Sequence, residues 1–218
     1  FKSMFAEFVN SLKEELKMAL PGFEAQKKMS PSFRTPADFR ISVQNPKPSS
    51  VMIIFYPENG KINNIFIKRK EDGKAHSGQI AFPGGKFDDT DIDLKTTAIR
   101  ETFEEIGVEV PNENIIGNLT PLFIPVSNYE VTPFVSFLEN QPTYKLSKNE
   151  VEKIIIVETN VLFRNDNKGE KIIKRENFEI LAPYYRANGD IVWGATAMIL
   201  SELNEIICKN NFTKFFCK

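Results

Sequence analysis

From its amino end the chain sets Phe5, Phe8, Val9, Leu12 and Leu16 at intervals of three and four, with Glu7, Lys13, Glu14 and Lys17 between them. That spacing lays the apolar side chains along one face of an α-helix, which Pro21-Gly22 ends. Pro31, Pro36, Pro46 and Pro48 follow, in the style begun at Pro21. Proline lacks the N–H that a helix or central strand uses, so residues 30–50 are expected to run as an extended surface connection and a weak domain boundary. From Val51 the texture becomes β-rich. VMIIFY at 51–56 and NNIFIKR at 63–69 flank Pro57-Glu58-Asn59-Gly60, the pattern of a hairpin. Residues 97–106 return to a helical period, 115–124 and 131–138 read as strands, KIIIVET at 153–159 as a buried strand, and 195–207 as a helix. Strands and helices without a uniform alternating rhythm predict an α/β protein with a mixed sheet between helices.

At 218 residues, 41% hydrophobic and 26% charged, the chain suits one large globular domain. Its 28 basic and 29 acidic residues leave a net charge of −1, which excludes a protein held to nucleic acid or an anionic membrane by bulk charge. Cys208 and Cys217 are too few and too close to the C-terminus for a disulfide framework, pointing to a reducing compartment. No apolar run approaches the roughly twenty residues of a membrane span, and the amino-terminal segment has no secretory apolar core. A soluble cytoplasmic protein is expected, with Met4 read as a natural start and the residues before it as an added leader.

The chemistry concentrates in residues 78–109, GQIAFPGGKFDDTDIDLKTTAIRETFEEIGVE. Thr96 or Thr97 can cap a helix there, and Gly107 can end it in a left-handed conformation. At about 100° per residue, Glu101, Glu104 and Glu105 share an arc of about 100°, while Ile99, Phe103 and Ile106 lie opposite as the expected core face. Like charges at this spacing destabilise a helix by about 0.2–0.5 kcal/mol per pair, and Arg100 offsets only one pair. A hard divalent cation, Mg²⁺ or Mn²⁺, compensates well, because it takes carboxylate oxygens and keeps positions open for water and phosphate. The alternative is a solvated acidic helix face. Phe82-Pro83-Gly84-Gly85 shifts the balance toward a site. Its two glycines let backbone approach a ligand and turn N–H groups toward anions. A glycine loop leading into an acidic helix suits metal-dependent attack of water on a phosphoanhydride.

Arg100, Glu101, Glu104, Glu105, Gly107 and Val108 resemble the second half of the Nudix hydrolase signature, G-x5-E-x7-R-E-U-x-E-E-x-G-U with U aliphatic. Thr102 replaces the first aliphatic residue of that half, fourteen residues rather than thirteen separate Gly85 from Arg100, and Asp91 or Asp88 stands for the loop glutamate. The longer spacing is similar to that of the coenzyme A pyrophosphatase subfamily. That subfamily carries LLTxRSxxxRxxxGxxxFPGG, against which residues 65–85 read IFIKRKEDGKAHSGQIAFPGG. Arg69, Gly78 and FPGG match, with Lys70 and Lys74 in place of a serine and an arginine. Val192-Trp193-Gly194-Ala195-Thr196-Ala197 resembles the subfamily's IWGATA.

The resemblance implies a Nudix α/β/α sandwich over residues 30–210, an accessory helix and linker over 1–29, and a tail over 211–218. It implies Mg²⁺- or Mn²⁺-dependent hydrolysis of coenzyme A (CoA) and its derivatives to 3′,5′-ADP and 4′-phosphopantetheine products. Glu101, Glu104 and Glu105 would ligate metal. Glu104, Glu105 and Arg100 would carry catalysis, one glutamate serving as base. Gly84 and Gly85 would shape the loop, and Arg69, Lys70 and Lys74 would bind substrate, above all the 3′-phosphate of CoA. Two alternatives stand beside this: hydrolysis of ADP-ribose or NADH-type dinucleotides, and a nucleotide-binding module without turnover, whose usual sign is a damaged REx2EE. The implied partner is a small nucleotide, and the resemblance leaves room for a homodimer.

The remaining polar residues have plainer readings. His76 is expected to be neither base nor ligand. Asp88, Asp89, Asp91 and Asp93 read as solvated loop charge favouring the helix N-terminus, with an extra metal site as the alternative. Lys68 and its basic neighbours can equally be a solvated hairpin edge. Glu150 reads as surface or as a late carboxylate facing the metal site, and Trp193 as core or pocket wall.

Overall fold

A computed structural model describes residues 1–32, 45–71, 73, 76–175, 178–209 and 212–215. The hairpin forms as the sequence predicts. Strand β1 (Lys47–Glu58) turns through Asn59 and Gly60, both at positive φ, into β2 (Lys61–Arg69), paired antiparallel. β1 also runs parallel to β7 (Tyr129–Phe137), which makes the sheet mixed. The order is β3 (Ile80–Ala81), β2, β1, β7, β5 (Ile115–Asn118), with β4 (Gly84–Lys86) on β1, β6 (Leu122–Ile124) on β7 and β8 (Val151–Glu158) on β2. The single strand expected over 115–124 is broken by Pro121 into β5 and β6. β8 is half-exposed rather than buried, because it lies outside β2 at the sheet's margin.

Alternation along β1 sorts the core into two layers. Met52, Ile54 and Tyr56 pack with Ile65 and Ile67 against Ala98 and Ile106 of helix α3 (Leu94–Ile106). Ile53 and Phe55 face the other way, toward α1 (Lys2–Glu15) and the C-terminal helix α5 (Ala195–Lys209). This is the α/β/α sandwich. The amino-terminal helix, expected as an accessory, is part of it: Phe8 is fully buried, with Phe55, Phe212 and Phe215 at ring separations of 5.2, 5.6 and 5.7 Å. Phe5, Phe8, Val9 and Leu12 of α1 thus share one core with Phe212 and Phe215.

A second, three-stranded antiparallel sheet joins β9 (Lys168–Arg175), β10 (Phe178–Ala187) and β11 (Asp190–Trp193). None of these was expected from periodicity, although Asn188-Gly189, both at positive φ between β10 and β11, is a strong hairpin signal. A short helix, α4 (Thr159–Leu162), connects β8 to this region, and α2 (Phe23–Gln26) lies against α5. Of the stretch expected as a surface connection, residues 33–44, Pro36 included, lie outside the described residues, and 47–50 are instead the start of β1, with Ser49 and Ser50 buried; Cys217 also lies outside, and Cys208 is free and exposed. Among the described residues no helix is long and apolar enough to cross a membrane.

One buried carboxylate ties the amino-terminal turn to the rest. Glu202 of α5, fully buried, accepts from Gly22 N–H at 3.0 Å, Gln26 Nε2 at 3.0 Å and the Thr120 hydroxyl at 2.6 Å. Hydrogen bonds to a charged group contribute about 1.5–3 kcal/mol each, and a buried donor left without an acceptor loses that and more. Glu202→Ala should therefore lower unfolding stability by about 2–4 kcal/mol in urea titrations. A loss under about 0.5 kcal/mol would show that water replaces the carboxylate at no net penalty.

Candidate active site

Helix α3 begins one residue after Asp93, whose Oδ1 accepts from the Thr96 N–H at 2.7 Å and its hydroxyl at 2.9 Å. Asp93, rather than Thr96 or Thr97, is the cap. Gly107 ends the helix at φ 70°, donating to the Phe103 carbonyl at 2.8 Å, as expected. The buried face differs from expectation. Thr97, Ala98, Thr102, Glu105 and Ile106 are buried, an arc centred about 50° from Glu101, while Phe103 is 51% exposed. The cause is in β4. Gly84 and Gly85 present no side chains, so α3 settles onto them and brings its carboxylates inward. A Cβ on Gly84 would run into the Ser50 carbonyl oxygen, and one on Gly85 into the Glu101 carboxylate. Thr102, standing where the Nudix signature has an aliphatic residue, is buried with its hydroxyl donated to the Ala98 carbonyl at 2.7 Å, so no polar atom is stranded.

Glu105 is 3% exposed. Its Oε2 accepts from the Gly84 N–H at 2.9 Å, and its Oε1 lies 3.4 Å from Arg69 Nη1. Burial dominates over both partners and pushes its pKa up to about 8. Glu101 is raised as well, again by burial, and Glu150, in the loop before β8, adds like charge to both. These three carboxylates line a pocket of about 630 Å³, together with Arg69, Lys70, Gly84 and Gly85. Glu104 is not among the lining residues; its side chain is 53% exposed and accepts from Arg100 Nη1 at 3.1 Å.

Arg100 organises the outer edge. Nε and Nη2 form a fork on Asp91, 2.9 Å to each oxygen, while Nη1 reaches Glu101 at 3.1 Å and Nη2 the Lys86 carbonyl at 3.1 Å. Asp91 is buried and also accepts from the Thr97 hydroxyl at 2.8 Å and the Asp88 N–H at 3.0 Å. Arg100 and these bonds hold it well below the usual carboxylate range, and Arg100 is raised in turn. Of the two candidates for the loop acid, Asp91 is thus the one that reaches Arg100. The aspartates read as solvated charge divide their work: Asp91 holds Arg100, Asp93 caps α3, and Asp88 closes its own turn on Thr90.

The basic cluster separates. Lys68 pairs with Glu152 at 2.8 Å on the outside, Arg69 turns inward to Glu105, and Lys70 donates to the Lys148 carbonyl at 2.8 Å. Lys74 lies outside the described residues. His76, in the pocket wall at positive φ, has its ring nitrogens 3.2 Å from Gln79 Oε1 and 3.3 Å from Ser127 Oγ. Trp193 is half-buried on β11 and does not line the pocket.

The donor set suits a hard cation. Glu101 and Glu105 stand one turn apart, Glu150 lines the same pocket, and among the described residues the buried Ser50 hydroxyl there has no partner. Among the described residues no three His, Cys, Asp or Glu side chains close on one point. A cation held by one or two carboxylates, with water and phosphate oxygens completing its shell, is the arrangement Mg²⁺ prefers.

The NUDIX domain profile matches residues 46–176. An uncharacterized Nudix hydrolase NudL of Yersinia enterocolitica is 29% identical over 190 residues, covering 80% of this chain and 94% of the relative. A NudL of Cronobacter sakazakii is 32% identical over 155 residues, 70% of this chain and 78% of that protein. The human mitochondrial coenzyme A diphosphatase NUDT8 is 33% identical over 127 residues, 57% of this chain and 53% of that protein. Among solved structures, a MutT/nudix family protein from Enterococcus faecalis superposes with a TM-score of 0.56 at 16% identity, over 92% of this chain and 81% of the other, a likeness of fold.

The two glycines should fail differently. Gly84 sits at φ 148° against backbone, so Gly84→Ala should destabilise the fold by about 3 kcal/mol or more. In Gly85→Ala the Cβ displaces a side-chain carboxylate instead, so stability should hold within about 1 kcal/mol while turnover falls at least about tenfold. Melting curves and initial rates check both; full activity in Gly85→Ala would contradict the packing of Glu101. The raised pKa of Glu105 gives a second test. The fold favours its protonated form, so in EDTA the contribution is complete below the ordinary carboxylate range and lost as pH rises through about 8. Melting temperatures from about pH 5 to about pH 9 should fall several degrees further in wild type than in Glu105→Gln. Parallel curves would contradict it.

Proposed function

Since the chain belongs to the Nudix family, we propose that it hydrolyses the diphosphate linkage of CoA and its derivatives to 3′,5′-ADP and 4′-phosphopantetheine products, using Mg²⁺ or Mn²⁺. The observation that carries this reading is Arg69 on Glu105, in the same pocket as Glu101. The segment resembling the CoA motif delivers its matched arginine onto the carboxylates of the Nudix helix. Identity to a human CoA diphosphatase supports the same substrate class.

In this reading Glu101 and Glu105 hold the cation from adjacent turns of α3. The bound ion supplies a Lewis acid that neutralises charge on the diphosphate and acidifies water. Arg69 adds a planar donor fork beside Glu105 for diphosphate oxygens, and Lys70 adds a point charge at the rim. Arg100 is a positioning residue: one guanidinium fixes Glu101 and Glu104 relative to the Asp91 anchor. Of the two candidate bases, Glu105 lines the pocket and would take the attacking water's proton from the buried side, while Glu104, outside the lining on Arg100, would have to act from the solvent side.

Hydrolysis should vanish in EDTA, and Glu105→Gln should lose about a hundredfold or more in kcat with the fold retained. Arg69→Ala should lower kcat/KM for CoA and for dephospho-CoA together, by about tenfold, because Arg69 faces the linkage common to both. A product-resolved screen over CoA, ADP-ribose and NADH tests the substrate class. Faster cleavage of ADP-ribose or NADH than of CoA would overturn it, and full activity in EDTA would overturn the metal-dependent reaction.

A further inference from the structure

Arg69 pairs with Glu105, which sets it beside the diphosphate in the reading above, and Lys70 donates to the Lys148 carbonyl at the pocket rim. Part of the pocket's lining comes instead from a motif that the reaction has not used, Val192–Ala197, through Ala195 and Thr196. Gly194, at φ 67°, turns β11 into α5, and its carbonyl accepts the first helical hydrogen bond, from Met198 N–H at 3.0 Å. The N–H groups of Ala195, Thr196 and Ala197 consequently have no acceptor within the helix and stand at its positive end. Ala195 and Thr196 line the pocket. Thr196 is only 9% exposed, and its hydroxyl makes no hydrogen bond among the described residues.

A cation shares this wall. Lys86 of β4 is the cross-strand partner of Ser49, which partners Val131 of β7. Cross-strand partners point to the same face, and that face is the α5 side, where Val51 and Val131 pack. The Lys86 ammonium lies 6.0 Å from the Tyr129 ring centroid and, among the described residues, pairs with no carboxylate. The pocket's acids come from other elements, Glu101 and Glu105 from α3 and Glu150 from the loop before β8. Those elements therefore suit a cation, and the start of α5 with Lys86 suits an anion.

We infer that the N-terminus of α5, the Thr196 hydroxyl and Lys86 form a second anion seat, for a phosphoryl group other than the diphosphate undergoing hydrolysis. Resting on the CoA reading above, its occupant is the adenosine 3′-phosphate. In this inference 3′-phosphate recognition rests on the VWGATA turn and Lys86 rather than on Arg69 and Lys70.

The test is calorimetric titration of wild type and Thr196 variants with adenosine 3′,5′-bisphosphate and with AMP, which lacks the 3′-phosphate. Wild type should bind the bisphosphate at least about tenfold more tightly. Thr196→Ser should keep that preference and Thr196→Val should reduce it about tenfold. Thr196→Asp should abolish it by like-charge repulsion, while an acid in the first turn of α5 preserves the helix. Lys86→Gln should weaken the preference in the same direction. No preference in wild type, a preference unchanged in Thr196→Val and Thr196→Asp, or equal losses for both nucleotides would each overturn the seat. Because no turnover is involved, the outcome separates from the substrate reading. A seat that behaves as described in a protein that cleaves ADP-ribose faster than CoA overturns only that reading, and an intact CoA preference without the seat overturns only the seat.

Discussion

Glu105 is a carboxylate on the buried face of α3, and its removal from water has to be offset locally. The Gly84 N–H and the Arg69 guanidinium supply part of the offset, one from backbone and one from charge, and burial still outweighs them. Both depend on close approach. A side chain at Gly84 would drive β4 away from the β1 backbone, and one at Gly85 would push the Glu101 carboxylate out of the place where it meets the pocket. The site is thus part of the packing between helix and sheet rather than a decoration on a finished fold.

Arg100 extends that constraint outward. Its fork on Asp91 fixes the guanidinium, which in turn fixes Glu101 and reaches Glu104. The loop from Gly85 is one residue longer than the general Nudix signature, and its acid is one methylene shorter. With Asp88 closing a turn and Asp93 capping α3, the longer loop sets the shorter acid beneath Arg100. Departures that look like defects in the motif are therefore compensated within it. The same economy appears at Thr102, where a hydroxyl bonded to its own helix occupies an aliphatic position.

The chemistry was legible where it rests on local rules: the carboxylate arc of α3, the left-handed Gly107, the β1–β2 hairpin with Asn59-Gly60, and the start of α5 after Gly194. What the sequence concealed depended on neighbours distant in the chain. Ile99, Phe103 and Ile106 looked like the core face by composition, but the glycines of β4 decide which side of α3 is covered, and Phe103 is left outside. The basic run at 68–70 read as one patch, yet strand alternation sends Lys68 to Glu152 and Arg69 to Glu105. The amino-terminal helix looked accessory because Phe8 packs on Phe55, Phe212 and Phe215, all distant from it in the chain. The β9–β11 sheet was missed although Asn188-Gly189 marked one of its turns.

In the proposed reaction Glu101 and Glu105 would hold the reactive ion beside strand β4. Anomalous diffraction from a crystal grown with Mn²⁺ and adenosine 3′,5′-bisphosphate measures this directly. The expected result is a Mn²⁺ peak bonded to oxygens of Glu101 and Glu105, with the nucleotide in the same pocket. A peak confined to the Asp88–Asp93 loop, or a nucleotide-bound site with no Mn²⁺ on either glutamate, would contradict it.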